Sequence, residues 1–152
     1  MLFCAVLPAF LIENLCIFRP EIKRVFMGDA GSMLLGLGIS WLLIDLSQGE
    51  GKVFSPVTAL WLFALPLIEI VSTILRRLSS GVSPFKPDRY HFHHVIVDMG
   101  LTNKYALILI LLYSSSMALI GVMGEIFFIS EWKMFAGFLF VFLMHFLICR
   151  RA

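Results

Sequence analysis

Charge is scarce in this chain. Twelve Lys and Arg and ten Asp and Glu make up 14% of its 152 residues, against about 25% in an ordinary soluble domain. The formal net charge is only +2, too small an excess for a nucleic-acid surface, so no nucleic-acid partner is expected. Cysteine is scarce too. Cys4, Cys16 and Cys149 stand in or at the ends of apolar runs and form no C-x-x-C pair, so neither a zinc site nor a disulfide framework is indicated and small buried thiols are expected. There is no internal repeat and no low-complexity linker. Nothing after Met1 has the basic n-region or small-residue cleavage site of a signal peptide, so the chain is expected to begin at the edge of a membrane helix. The apolar runs lack strand alternation, which excludes a barrel.

What is abundant is apolar surface. Hydrophobic residues make up 60% of the chain and the mean hydropathy is +0.95, well above the soluble norm. Five runs predict transmembrane helices, at about 2–18, 32–46, 57–75, 105–123 and 132–149, each near the roughly 20 residues that a bilayer requires. The expected fold is all-α: a single polytopic helix bundle over 1–152.

The loop charges orient it. Arg19, Lys23 and Arg24 lie between the first two runs, and Arg76, Arg77, Lys86, Arg89 and Lys104 between the third and fourth. Arg150 and Arg151 stand near the C-terminus, while the other two loops hold Lys52, Glu50, Glu125 and Glu131, with Lys133 at the start of the last run. Positive charge stays cytoplasmic. The pattern predicts an outside N-terminus, cytoplasmic loops at 19–31 and 76–104, and a cytoplasmic C-terminus.

Polar residues inside apolar runs are few. Glu13, Asn14 and Asp45 lie near helix ends and are expected to reach toward the interface. Glu69 lies deeper, about 10 Å from the cytoplasmic end of its run at 1.5 Å per residue. It either pairs with Arg76, Arg77 or a neighbouring helix, or it lines a site. Pro66, just before it, is expected to bend the helix. His145, alone in the last run, reads as a buried or interfacial histidine rather than a ligand.

Two polar stretches remain. In the first, V-F-M-G-D-A-G-S at 25–32, Asp29 lies between glycines that let a backbone approach a ligand closely. Ser32 is placed as the N-cap of the next helix, whose free N–H groups would face whatever Asp29 holds. Mg²⁺ takes one or two protein carboxylates and completes its shell with phosphate oxygens and water, so a metal–phosphate complex suits this stretch. A plain turn with two caps is the alternative. The second stretch is the loop 76–104. Its centre holds Lys86, Arg89, His91, His93 and His94, three of the chain's four histidines within four positions. Cations and imidazoles suit a diphosphate or a leaving group, and H-x-H-H is not a zinc spacing. A solvated basic loop on anionic lipid is the alternative.

Taken together, F-M-G-D-A-G-S at 26–32, S-P-V-T-A-L-W at 55–61 and S-P-F-K-P-D-R-Y-H-F-H-H at 83–94 resemble the polyprenyl-phosphate N-acetylhexosamine-1-phosphate transferases. That resemblance implies a membrane enzyme with a cytoplasmic site. It would move N-acetylhexosamine-1-phosphate from a UDP-N-acetylhexosamine to polyprenyl phosphate and release UMP, using Mg²⁺ or Mn²⁺, in synthesis of lipid-linked cell-envelope polysaccharide such as lipopolysaccharide O-antigen. It implies Asp29 at the metal and His91, His93 and His94 at the diphosphate, with Gly28, Gly31, Ser32, Lys86 and Arg89 binding substrate. The chain departs from the family in two ways. Glu69 stands where an aspartate is usual, and no Asp-Asp pair occurs, although the family carries an aspartate-rich metal motif in its first half. The chain therefore looks like a C-terminal half that needs a complementary N-terminal half and is inactive alone. A non-catalytic membrane subunit or degenerate paralogue that binds lipid phosphate or partner helices is the alternative.

Overall fold

The structure, a computed structural model, describes residues 27–83 and 96–151 together with Pro8 and Phe10. Its described elements are all helices: α1 Gly28–Ser47, α2 Pro56–Leu62, α3 Ala64–Ser79, α4 Asn103–Ile126 and α5 Glu131–Arg151. Of these, α1, α4 and α5 are long and apolar enough to cross a membrane, and α2 with α3 makes a bent pair that passes the same test together. The expected first helix, 2–18, lies outside the described residues except for Pro8 and Phe10, both helical. The chain divides into two units, Met1–Trp41 and Leu42–Ala152.

Apart from Pro8, Phe10 and Met27, the described part of the first unit is the N-terminal portion of α1. It begins at Gly28, whose φ of +69° turns the chain into the helix at little cost to a residue without Cβ. Asp29 then falls in the first turn, where a carboxylate is favoured by the helix dipole. The expectation that Ser32 caps this helix is therefore corrected. Ser32 lies inside α1, and its hydroxyl donates back to the Asp29 carbonyl at 2.9 Å, as mid-helix serines do.

The second unit is built on α2. Ser55 is its N-cap and Pro56 occupies the first turn, where a missing N–H is harmless. The third apolar run is not one helix. It breaks at Phe63 into α2 and α3, bent by 81°. Pro66 is the cause, but it acts upstream of itself: it has no N–H for the Leu62 carbonyl four residues earlier, and its ring crowds that carbonyl. Beyond the break, α3 buries Ala64, Leu65, Ile68, Ser72 and Thr73 along one stripe, the spacing of a helix with a single packed face.

Helix α4 supplies the groove for α2. A Cβ on Gly121 would lie 2.5 Å from the Trp61 Cβ, and one on Gly124 would collide with Met134 of α5. Small residues of this kind let membrane helices approach, where lipid offers no hydrophobic drive for them to associate. The core is Trp61, Ala64, Ile68, Met117, Met134 and Phe138. The Trp61 indole meets Phe138 edge-on, with 5.8 Å between centroids, and its N–H donates to the Met134 carbonyl at 3.1 Å, so the polar atom of a buried ring is satisfied.

Helices α3 and α4 end in the same hydrogen-bonded wrap. After α3, Gly81 donates to the Leu78 carbonyl and Val82 to that of Arg77; after α4, Phe128 donates to Glu125 and Ile129 to Gly124. Both are Schellman ends, which place one residue in the left-handed region. At the first end that residue is Gly81, φ +68°; at the second it is Phe128, φ +50°.

Candidate functional site

Asp29 is exposed, and among the described residues nothing pairs with its carboxylate. Around it, the first N–H groups of a twenty-residue helix have no intrahelical acceptor and form an anion-binding end. Gly28 is needed for its positive φ, and a side chain there would meet nothing within 4 Å. Gly31 has a different local reason: a Cβ would lie 2.5 Å from the Met27 Cγ, so the glycine makes room for Met27. Ser32, exposed and bonded to the Asp29 carbonyl, ties the first turn to the second. No group of three or more His, Cys, Asp or Glu that could hold a metal occurs among the described residues. Asp29 alone fits one ligand of a magnesium–phosphate complex, not a complete site, since a bare cation would face the positive end of α1.

Lys86, Arg89, His91, His93 and His94, the second group expected at the site, lie outside the described residues. Asp45 is exposed near the other end of α1.

Two polar groupings in the second unit were missed or underread in the sequence. One is at Glu125, which reads from sequence as a loop charge. One carboxylate oxygen, Oε2, accepts from the Ser55 N–H at 3.0 Å and from the Thr58 hydroxyl at 2.6 Å. The Ser55 hydroxyl accepts from the Thr58 N–H at 3.3 Å and lies 3.0 Å from the Thr58 hydroxyl. The end of α4 thus caps the start of α2, and the loops 48–55 and 127–130 lie at one end of this unit, as alternating spans require. The signal was present as Ser-Pro-x-Thr, a cap followed by proline at the first helical position; only the distant acceptor was invisible.

The other grouping is at His145, 4% exposed, as its isolated place in an apolar run suggested. Its Nε2 lies 3.8 Å from Glu69 Oε1 and 3.5 Å from Cys149 Sγ, and its ring stacks on Tyr113 with 6.1 Å between centroids. Glu69 therefore meets a neighbouring helix. An apolar groove lined by Tyr113, Met117, Phe140, Val141, Met144, His145 and Ile148 runs beside the cluster.

These observations define a polytopic helical membrane protein with an exposed carboxylate at the start of one span and, in its second unit, a helical core packed around Trp61. Comparison with known proteins carries the assignment further. The chain is 49% identical over 144 residues to the undecaprenyl-phosphate alpha-N-acetylglucosaminyl 1-phosphate transferase of Pasteurella multocida, covering 95% of this chain and 40% of the relative. It is 48% identical over 145 residues to the protein of that name from Haemophilus influenzae, again covering 95% and 40%. With the one from Escherichia coli K12 it shares 43% identity over 152 residues, 99% of this chain and 41% of the relative. The chain is related to the C-terminal part of these transferases and spans about 40% of their length. No family model matches it, and no solved structure does.

Proposed function

We propose that this chain is the C-terminal portion of an undecaprenyl-phosphate N-acetylglucosamine-1-phosphate transferase. An oxygen of the lipid phosphate attacks the sugar-bearing phosphorus of a UDP-N-acetylhexosamine, the bond to UMP breaks, and the product is a lipid diphosphate sugar. The observation that carries this reading is 43–49% identity over 95–99% of the chain to transferases of that name.

In this reading Asp29 contributes one oxygen to Mg²⁺ or Mn²⁺, which when bound offsets phosphate charge. The start of α1 takes a phosphate oxygen on its N–H groups, with Gly28 holding the turn open and Gly31 and Ser32 shaping the first two turns. Lys86 and Arg89 hold the diphosphate, and His91, His93 and His94 compensate charge on departing UMP. The loop charges support a site on the cytoplasmic face of a bacterial inner membrane, where a lipid phosphate and a soluble nucleotide sugar meet. A complementary half supplies the remaining carboxylates, because one exposed aspartate is a poor magnesium site.

The test is UMP release from radiolabelled UDP-N-acetylglucosamine by membranes holding this chain, with and without the N-terminal part of the Pasteurella multocida relative. Release that depends on Mg²⁺ and on both parts is expected, with the chain alone at background. No release from the pair at matched expression would overturn the assignment. Robust release from the chain alone would overturn the need for a second half.

A further inference from the structure

The turn between α4 and α5 combines two features that are each unfavourable in water. Phe128 is 94% exposed and Phe127 70%, with Ile129 beside them at 44%. Phe128 also holds a φ of +50°, a conformation that crowds Cβ against the backbone in any residue but glycine. Nothing in the hydrogen bonding demands a phenylalanine there, because the same wrap at the end of α3 is made by Gly81. An aromatic ring held in a glycine position and turned away from the protein points to a surrounding that rewards the ring.

The neighbouring chain says what that surrounding is. The turn has only the four residues 127–130 between α4 and α5, both apolar spans, so it cannot rise far from the bilayer. Trp132 follows at 69% exposure, and the Lys133 ammonium lies 5.9 Å from the centre of its ring. An aromatic residue beside a lysine at the end of a span suits the level of lipid headgroups.

We propose that the 127–129 turn is a lipid anchor. Phe127 and Phe128 enter the boundary between headgroups and acyl chains, Trp132 and Lys133 stay at headgroup level, and together they fix the depth of the α4–α5 hairpin. The partner is the bilayer itself rather than a second protein.

The test places a nitroxide on this chain, reconstituted with the N-terminal part of the Pasteurella multocida relative in vesicles of phosphatidylethanolamine and phosphatidylglycerol, with Cys4, Cys16, Cys149 and every cysteine of the added part changed to serine. Labels go on Phe128→Cys and, separately, Phe127→Cys, the second guarding against a folding defect peculiar to the strained position. References are Leu119→Cys, 57% exposed on α4, and Glu50→Cys, exposed in the loop 48–55. Collisions with oxygen and with a water-soluble nickel chelate are compared. The oxygen-to-nickel ratio at 127 and 128 is expected to be severalfold above that at 50 and to approach that at 119. Ready nickel access equal to that at 50 would put the turn in water, and low access to both reagents would put it under protein. Either result overturns the proposal.

Discussion

Asp29 and Ser55 each stand at the start of a helix, in two of the stretches that carry the family resemblance, yet they use their polar atoms in opposite ways. The N–H of Ser55 goes to Glu125, its hydroxyl to Thr58, and its carbonyl accepts from Ala59 at 3.3 Å. Trp61, later in the same stretch, is 3% exposed at the centre of the core. Asp29 is exposed, and among the described residues its carboxylate meets no partner. One stretch is satisfied within its own unit; the other keeps an exposed charge. A stretch that serves architecture satisfies its own polar groups, whereas one that serves chemistry keeps them for a ligand. The comparison gives S-P-V-T-A-L-W a structural place in the fold, and it is the contrast on which the proposed role of G-D-A-G-S rests.

The largest effect is expected at Asp29. In the whole protein, Asp29→Asn removes one charge from the proposed phosphate site and lowers turnover by about 10²–10³-fold, the usual loss for one electrostatic group. Asp45→Asn, at the other end of the same helix, leaves turnover unchanged. Steady-state UMP release for the two variants checks this, and equal losses would mean that α1 had been damaged as a helix. Trp61→Ala comes next, but in stability: losing a buried indole costs about 3–5 kcal/mol, read as a lowered unfolding midpoint in detergent. A smaller loss follows Thr58→Val, which deprives the Glu125 carboxylate of its 2.6 Å donor and costs about 1.5–3 kcal/mol. Glu125→Gln should cost less than Thr58→Val, since an amide oxygen still accepts from Ser55. The smallest effect on turnover is expected at His145. His145→Ala removes a contact of Glu69 and lowers the midpoint, while His93→Ala and His94→Ala lower UMP release at matched expression. A large catalytic loss at His145 with none at His93 or His94 would reverse these roles.

Helices α1, α4 and α5 were legible because a continuous apolar run of span length has no other stable solution in lipid. The architecture of the third run was not. Hydropathy sees 57–75 as one stretch, and proline marks a bend without fixing its place; the break falls at Phe63 because the lost hydrogen bond belongs to Leu62. Ser32 was misplaced as a cap because serine before an apolar run is a common start signal, while the positive φ of Gly28 is a backbone property that no hydropathy pattern carries. At Glu125 the loop count used charge only to orient the chain, and its partners lie about 70 residues away in sequence. Pairing across that separation depends on the packing of Gly121 and Gly124. The depth of Glu69 announced a buried partner, and His145 was the buried histidine available to it, but nothing in the sequence joined the two.

The most direct test crosses the two stretches in one assay: UMP release per folded molecule, together with the unfolding midpoint, for Asp29→Asn and Thr58→Val in the whole protein. The account predicts that Asp29→Asn loses activity with an unchanged midpoint, and that Thr58→Val lowers the midpoint while each folded molecule keeps its activity. A stable Asp29→Asn enzyme with full turnover, or a Thr58→Val enzyme that is fully stable and inactive, would contradict it.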